Sequence, residues 1–315
     1  MLPEEVGLSS DRVQAARKAD ALPEMNEPQG PARHALRLHV LASGSGGNAA
    51  VVENVATGRG ILIDCGICKR DFFARCQEAG CDPASLDGIL ITHDHSDHTK
   101  GLGVVLRGLA RLGVHVPLYT APAVRDASKP VSGVVQTGLA EFVPFAAGSA
   151  LSLAGCQVHV LRSSHDAAAS FGFRVEAPDL PGASEGADGP FVPMDVLGYL
   201  TDSGVVTPEC HEGLGGARIL ALESNHDPHM LKVGPYPYHI KQRVASDVGH
   251  LSNGQARQEL ESLLHDGLEQ VVAMHVSRNN NTYRLPLQVQ RSLLQEQCHG
   301  AQVSVAYQDR LVSVV

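Results

Sequence analysis

No stretch of this 315-residue chain approaches the roughly 18 consecutive apolar residues that a membrane-crossing helix needs. Its first residues are acidic, where a secretory leader would be basic and then apolar. Neither a span nor a leader is expected, and no membrane partner. Positive charge is also scarce: 25 Lys and Arg stand against 34 Asp and Glu, a formal charge of −9. A polyanion would therefore have to be held by a local patch or by bound metal ions, because the chain as a whole has no basic footprint. Paired C-x₂-C units of zinc type are missing. The seven cysteines are odd in number and scattered, with Cys65-x₂-Cys68 alone on a strand-to-helix turn. That usage fits reduced thiols in the cytoplasm better than a disulfide framework. What the chain does have is 43% hydrophobic residues, enough for one large core or two small ones.

The densest chemistry lies in Thr92-His93-Asp94-His95-Ser96-Asp97-His98, directly after the apolar run Gly88-Ile89-Leu90-Ile91. An apolar strand that stops at such a cluster delivers ligands to the rim of a sheet, where loops shape a site. Imidazole nitrogen and carboxylate oxygen suit Zn²⁺ or Mn²⁺, and the lack of Cys in the cluster argues against a closed structural zinc site. His93 and His95, two apart in an extended loop, can chelate one ion. Asp97 and His98, where the chain turns into a helix, can face a second ion about 3.5–4 Å away.

Residues 1–34 carry Pro, Glu, Asn and Gly and no recognisable chemistry, and they read as a flexible N-terminal extension to one large domain over 35–315. Leu36 to Val40 and Ala49 to Val52 flank a glycine-rich turn. It is either a plain hairpin tip or a loop whose N–H groups, with Ser45 and Asn48, approach a phosphate. Ile61-Leu62-Ile63-Asp64 ends a buried strand on a carboxylate that either braces the His loop or caps the turn. Apolar strands also stop at His165, after Gln157 to Leu161, and at His275, after Gln270 to Met274. Val196 to Gly204 echoes Gly60 to Gly66, and Arg218 to Asp227 echoes Gly88 to His95, so one strand-Asp-x-Gly unit occurs twice. The fold implied is α/β (α+β), two mixed sheets between outer helices with the site where the halves meet. Asp202 is then placed to share its carboxylate between two ions, although Asp-x-Gly is also an ordinary turn. Arg278 and Asn280 can meet phosphate oxygens or form a polar loop. His239-Ile240-Lys241-Gln242-Arg243 is a small basic cluster, and residues 176–193, rich in Pro and Gly, read as an exposed insertion.

His93-x-His95-x-Asp97-His98 resembles the signature of the metallo-β-lactamase superfamily of metallohydrolases, whose αββα sandwich agrees with the two-sheet expectation. The resemblance implies two divalent ions, Zn or Mn. One would sit on His93, His95 and His165, the other on Asp97, His98 and His275, with Asp202 shared. Together with Ser-Gly-Ser-Gly-Gly-Asn, Thr-Asp-Ser-Gly, Glu-Ser-Asn-His-Asp and Gly-His-Leu-Ser-Asn, spread from Leu36 to Val312, the cluster is similar to the YycJ (WalJ) group of that superfamily. That group implies a cytoplasmic metal-dependent phosphodiesterase, a 5′-to-3′ exonuclease with DNA as substrate. Glu223 and His250 loosely resemble motifs that tRNA 3′-processing endonucleases set opposite their metals. On this reading a hydroxide held between the cations attacks, Asp97 holds its proton, and His250, oriented by Glu223, protonates the leaving oxygen. A hydrolase of small or cyclic phosphodiesters and a catalytically silent metal-binding regulator are the alternatives. Oligomeric state is not legible.

Overall fold

The apolar runs build two sheets of seven strands each among residues 34–180 and 193–315, the parts of the chain that the computed structural model describes. In the first sheet β1 (Leu36–Ala42), β2 (Ala49–Asn54) and β3 (Arg59–Ile63) are antiparallel. Strands β4 (Leu86–Leu90), β5 (Leu118–Thr120) and β6 (Phe142–Pro144) continue from β3 in parallel. The second sheet repeats the plan. Strands β7 (Ala150–Leu153), β8 (Cys156–Arg162), β9 (Phe171–Pro178) and β10 (Met194–Leu200) are antiparallel, and β11 (Ile219–Glu223), β12 (Gln270–Met274) and β13 (Gln302–Val305) run parallel to β10. The last strand, β14 (Val312–Val314), crosses to the first sheet and pairs with β1. This makes β3 equivalent to β10 and β4 to β11, the repeat that the two Asp-x-Gly units announce.

Strands covered on both faces read as unbroken apolar runs. Ile61, Leu62, Ile63, Ile89 and Leu90 in one sheet, and Leu197, Ile219, Leu220, Ala221 and Leu222 in the other, are at most 1% exposed. Helices flank the sheets. From the first half come α1 (Lys69–Ala79), α2 (Ser96–Thr99), α3 (Leu102–Ala110), α4 (Pro122–Ala127) and α5 (Lys129–Gln136). The second half supplies α6 (Pro208–Leu214), α7 (Pro228–Val233), α8 (Tyr238–Val244), α9 (Asn253–Ser262) and α10 (Arg284–Glu296). No described helix is long and apolar enough to cross a membrane.

Where the parallel strands begin, Arg218 makes two bonds of 2.8 Å to Asp195 and reaches the Leu36 carbonyl at 2.8 Å, while Asp195 accepts the Leu36 N–H at 2.7 Å. This buried, bidentate pair ties β1 of one sheet to β10 and β11 of the other. The opposite end, where the parallel strands finish, is left to loops, and the candidate ligands lie there.

Two features depart from the sequence reading. Strand β9 runs through Glu176 and Ala177, paired as far as Pro178 with Met194, so the excursion expected at 176–193 begins at Asp179. Its buried Phe171, Phe173, Val175 and Ala177 alternate with partly exposed Arg174 and Glu176, a period-two pattern that the Pro and Gly just beyond obscure. Residues 181–192 of the excursion and 1–33 of the extension lie outside the described residues. Helix α10, which buries Leu287, Gln290, Leu293 and Leu294, was not anticipated. Its Pro286 reads as a breaker, yet it stands in the first turn, where no intrahelical N–H bond is lost.

One glycine presses the end of β3 onto the ligand loop. The Gly66 N–H donates to the Asn48 carbonyl at 2.7 Å, and a Cβ on Gly66 would lie 1.5 Å from the Asp97 carbonyl oxygen. Gly66→Ala is therefore expected to cost about 3 kcal/mol or more in urea unfolding. Gly58→Ala, on an open turn with positive φ, should cost about 1 kcal/mol. Equal costs at the two positions would mean that Gly66 is not clamped against the loop.

Candidate metal centre

Strands of both sheets stop within reach of one another, and three of the residues that follow them are backbone outliers. Asp64 after β3, Asp202 after β10 and His275 after β12 have φ of 60°, 53° and 52°. The left-handed region costs a non-glycine residue on the order of 1–2 kcal/mol, and such strain persists where the surroundings over-determine it, as at functional sites.

Asp64 is fully buried. It accepts the Thr92 N–H at 2.9 Å, the Thr92 hydroxyl at 2.8 Å and the His98 Nδ1–H at 2.7 Å. The Thr92 hydroxyl, its proton given to Asp64, accepts from His93 Nδ1 at 3.0 Å. Asp64 is thus the brace of the His loop and not a turn cap, and it turns Nε2 of both imidazoles away from itself. His93 Nε2 is buried with no hydrogen-bond partner among the described residues. From the second sheet, His165 donates Nδ1–H to the Gly249 carbonyl at 2.9 Å, which turns its Nε2 to within 3.2 Å of His95 Nδ1. Donor atoms of His93, His95 and His165 all lie within 4.8 Å of one another.

A second group, Asp97, His98 and His275, meets the same limit. The main chain of His275 is pinned by its N–H to Ser43 Oγ at 2.7 Å and by Asn225 Nδ2 to its carbonyl at 2.8 Å. Its Nε2 is buried without a hydrogen bond, 3.7 Å from Asp97 Oδ2. Asp202 lies between the groups. Its Oδ2, which accepts from the Thr201 hydroxyl, is 3.2 Å from His98 Nε2, and its Oδ1 is 3.4 Å from His275 Nδ1 and 3.9 Å from His165 Nε2. Glu223 is fully buried as well. Its Oε2 accepts the Ser203 and Leu251 N–H groups at 2.9 and 3.1 Å, and its Oε1 faces Nδ1 of His250 at 2.8 Å and of His275 at 3.2 Å. Although Glu223 could join Asp202, His250 and His275 around an ion, four N–H groups already occupy its oxygens. It is a brace, the counterpart of Asp64 in the other sheet.

In the chain by itself, protons take the place of cations. Burial opposes charge on His98, but Asp64 and Asp202 override it and hold its pKa well above the imidazole range. His275, under the same penalty, is pushed up to about 10 by Asp202, Asp97 and Glu223. Burial also raises Asp202 and Glu223, yet His275 and His98 bring Asp202 well below the carboxylate range, and His250 and His275 bring Glu223 to about 2. Burial lowers His93 and His165, keeping them neutral. Orphaned Nε2 atoms, neutral imidazoles and carboxylates short of positive charge are a donor set that fits divalent transition-metal ions.

The candidate phosphate contacts fare differently. Ser45 is exposed at the tip of the glycine turn. Asn48 is buried, its Oδ1 accepting the Gly44 N–H at 2.8 Å and its Nδ2 2.9 Å from His98 Nε2, so it walls the site from inside. Arg278 is exposed, 3.4 Å from Asp309. Asn280 is 1% exposed, and its side-chain N and O have no hydrogen-bond partner among the described residues. In the basic cluster, Lys241 donates to the Lys232 carbonyl and Arg243 pairs with Asp166, so both are committed within the protein. His226 is buried and lowered by that burial to about 4, and His229 is exposed. Sequence reasoning missed Ser43, Thr92, Thr201, Asn225 and the Gly249 carbonyl. Thr92 and Asn225 stand inside the motifs, and polar residues at strand ends are the signal for Ser43 and Thr201.

Residues 59–276 match the family described as the Beta-lactamase superfamily domain. Over 265 residues the chain is 30% identical to the exodeoxyribonuclease YycJ of Bacillus anthracis, covering 84% of this chain and 91% of that protein. It is 28% identical over 249 residues to the exodeoxyribonuclease WalJ of Streptococcus pneumoniae, covering 79% and 84%. Among solved structures, the metallo-β-lactamase fold protein YhfI from Bacillus subtilis superposes with a TM-score of 0.62 over 89% of this chain and 99% of that one, at 14% identity.

Asp64→Asn keeps the shape of the brace but removes the charge that draws N–H from His98 and Thr92. Affinity for Zn²⁺ or Mn²⁺, read by chelator competition, is expected to fall about 10–100-fold with the fold retained. Protons must also leave His98 and His275 before a cation binds, so wild-type affinity should rise with pH toward about 10. Unchanged affinity in the variant would confine Asp64 to a folding role.

Proposed function

The chain belongs to the β-lactamase superfamily, and on that footing we propose that this metal-dependent hydrolase is a 5′-to-3′ DNA exonuclease of the cytoplasm that uses two Zn or Mn ions. The observation that carries the reading is Asp202, a buried carboxylate set between the two donor groups, with Oδ2 3.2 Å from His98 and Oδ1 3.4 Å from His275 and 3.9 Å from His165. His93, His95 and His165 would hold one ion, Asp97, His98 and His275 the other, and Asp202 both. Two divalent ions, when bound, lower the pKa of water and neutralise charge on the scissile phosphate. Two carboxylates around the second position, with no Cys there, suit a phosphodiester. Both relatives named exodeoxyribonucleases support DNA, and seven free cysteines suit a reducing compartment.

The remaining steps belong to side chains. Asp97 keeps 20% of its side chain exposed, and its Oδ1, with no protein partner among the described residues, can take the proton of the attacking water. Across the site His250 gives Nδ1–H to Glu223 at 2.8 Å. Its ring lies 5.0 Å from that of His165 and 5.1 Å from that of His275. Nε2, without a protein partner among the described residues, is the atom left to protonate the leaving oxygen.

A panel of 5′-phosphorylated duplex DNA, single strands and bis(p-nitrophenyl) phosphate with Mn²⁺ or Zn²⁺ tests the reading, and mononucleotide release from the 5′ end is expected. Turnover of the ester alone would make the protein a small-phosphodiester hydrolase, and turnover of nothing a metal-binding regulator. His250→Ala should slow DNA cleavage roughly 10²–10⁴-fold with both ions retained. The nitrophenyl ester should suffer far less, because its leaving group departs without a proton. Equal losses on both substrates would reduce His250 to a phosphate anchor.

A further inference from the structure

We propose that the cleft between α1 and α3 is the track for the phosphodiester backbone of the strand being cut, an inference that rests on the nuclease reading of the adjacent site. The cleft holds about 350 Å³ and is walled by Lys69 and Arg70 of α1 and by Arg107 and Arg111 of α3 and its cap, with Cys68 at the α1 cap and no carboxylate in the lining. Arg70 shares its charge with Asp71 at 2.9 Å. Lys69, Arg107 and Arg111 have no ion-pair partner among the described residues. In a chain of net charge −9, three cations without an ion-pair partner among the described residues and a fourth shared with Asp71 line one cleft and complement a polyanion.

Packing makes the convergence. A Cβ on Gly108 would lie 3.0 Å from Lys69 Cδ and 2.7 Å from the Phe73 ring, so the bare glycine lets the Lys69 stem lie across α3 and brings its charge to the arginines. Both helices also start at the candidate metal centre. Helix α1 follows Gly66, pressed on Asp97. Helix α3 follows Gly101, whose N–H donates to the Cys65 carbonyl at 2.8 Å, and α2, just ahead of it, carries Asp97 and His98. At ~1.5 Å per residue, Arg107 and Arg111 stand about 9 and 15 Å from Gly101 along the helix. The Arg107 guanidinium turns back over Gly103, 3.3 Å from a Cβ placed there, toward the site. A strand rising ~3.4 Å per nucleotide would meet these cations within its first few nucleotides beyond the site.

The metal-loaded enzyme and Arg107→Ala/Arg111→Ala are compared on labelled strands longer than the roughly 4–16 nucleotides of a single-strand site, made as DNA and as RNA, and on bis(p-nitrophenyl) phosphate. Both cleavage and fluorescence anisotropy are followed. KM and Kd for the strands are expected to rise about tenfold, and the slope of log Kd against log salt to shrink by roughly 1.4, at ~0.7 per phosphate contact. Ester turnover should stay at the wild-type rate, and Arg107→Lys/Arg111→Lys should restore affinity. Unchanged strand affinity in the alanine variant overturns the track and leaves the nuclease reading intact. Equal loss on the ester, or no recovery with lysines, also overturns it, since a packing role gives those results. If the wild type cleaves no strand, the nuclease reading falls and binding still decides the cleft. Weaker binding by the alanine variant then supports a strand-holding surface, and a wild type that binds no strand removes it. The tighter of the DNA and RNA series identifies the sugar.

Discussion

Asp64 and Glu223 are fully buried, and a carboxylate taken out of water without partners would cost several kcal/mol. Each is surrounded by N–H and O–H donors. Asp64 has Thr92 and His98, and Glu223 has Ser203, Leu251 and the two imidazoles His250 and His275. The need to satisfy these anions is what orients the site. An imidazole that gives Nδ1–H to a buried carboxylate, or to a hydroxyl that such a carboxylate holds, can present only Nε2 elsewhere, and the Nε2 atoms of His275 and His93 have no hydrogen-bond partner among the described residues. The hydrogen bonds that hold the loops thus also aim the atoms that would meet a cation.

The two ends of the sheets divide the labour. Arg218 and Asp195 lock the starts of β1, β10 and β11 in the manner of a core contact, while the finishing ends carry the strained residues Asp64, Asp202 and His275. Strain of order 1–2 kcal/mol per residue is tolerable there because bonds cross between sheets. Ser43, after β1, takes the His275 N–H, and Asp202, after β10, faces His98 Nε2 at 3.2 Å. A site assembled from both halves is therefore rigid only when the sheets are packed, which couples ligand geometry to the fold as a whole.

Much of this was legible from residues alone. The His loop is contiguous, and the other metal candidates share one mark, an apolar strand that stops at a His or Asp, so the repeated pattern located His165, Asp202 and His275. Burial is not written in such local patterns. Asn48 and Asn280 look like loop residues open to a phosphate, yet both are buried, Asn48 because its glycine-rich turn folds onto it through the Gly44 N–H. Strand β9 and helix α10 hid behind proline, whose effect depends on whether an N–H bond was there to lose. Charge was the least legible. The contiguous cluster at His239 to Arg243 is consumed by internal bonds, whereas Lys69 and Arg107, far apart in sequence, meet only through the packing of two helices at Gly108.

That distribution resolves the apparent conflict between an acidic chain and an anionic substrate. At physiological salt a charge is felt over about 8 Å, so a strand lying in one cleft responds to the cations lining it and hardly to carboxylates on distant faces. The site itself changes sign with its ligands. Two divalent ions held as proposed would add four positive charges against Asp97 and Asp202, while the buried Asp64 and Glu223 are already matched by imidazole N–H groups. On the proposed reading the rim would then attract phosphate, and the arginine cleft would extend that attraction along the strand. The acidic remainder of the surface would repel such a strand elsewhere, so the proposed track favours one register, with the backbone along the helices and the end at the donor groups.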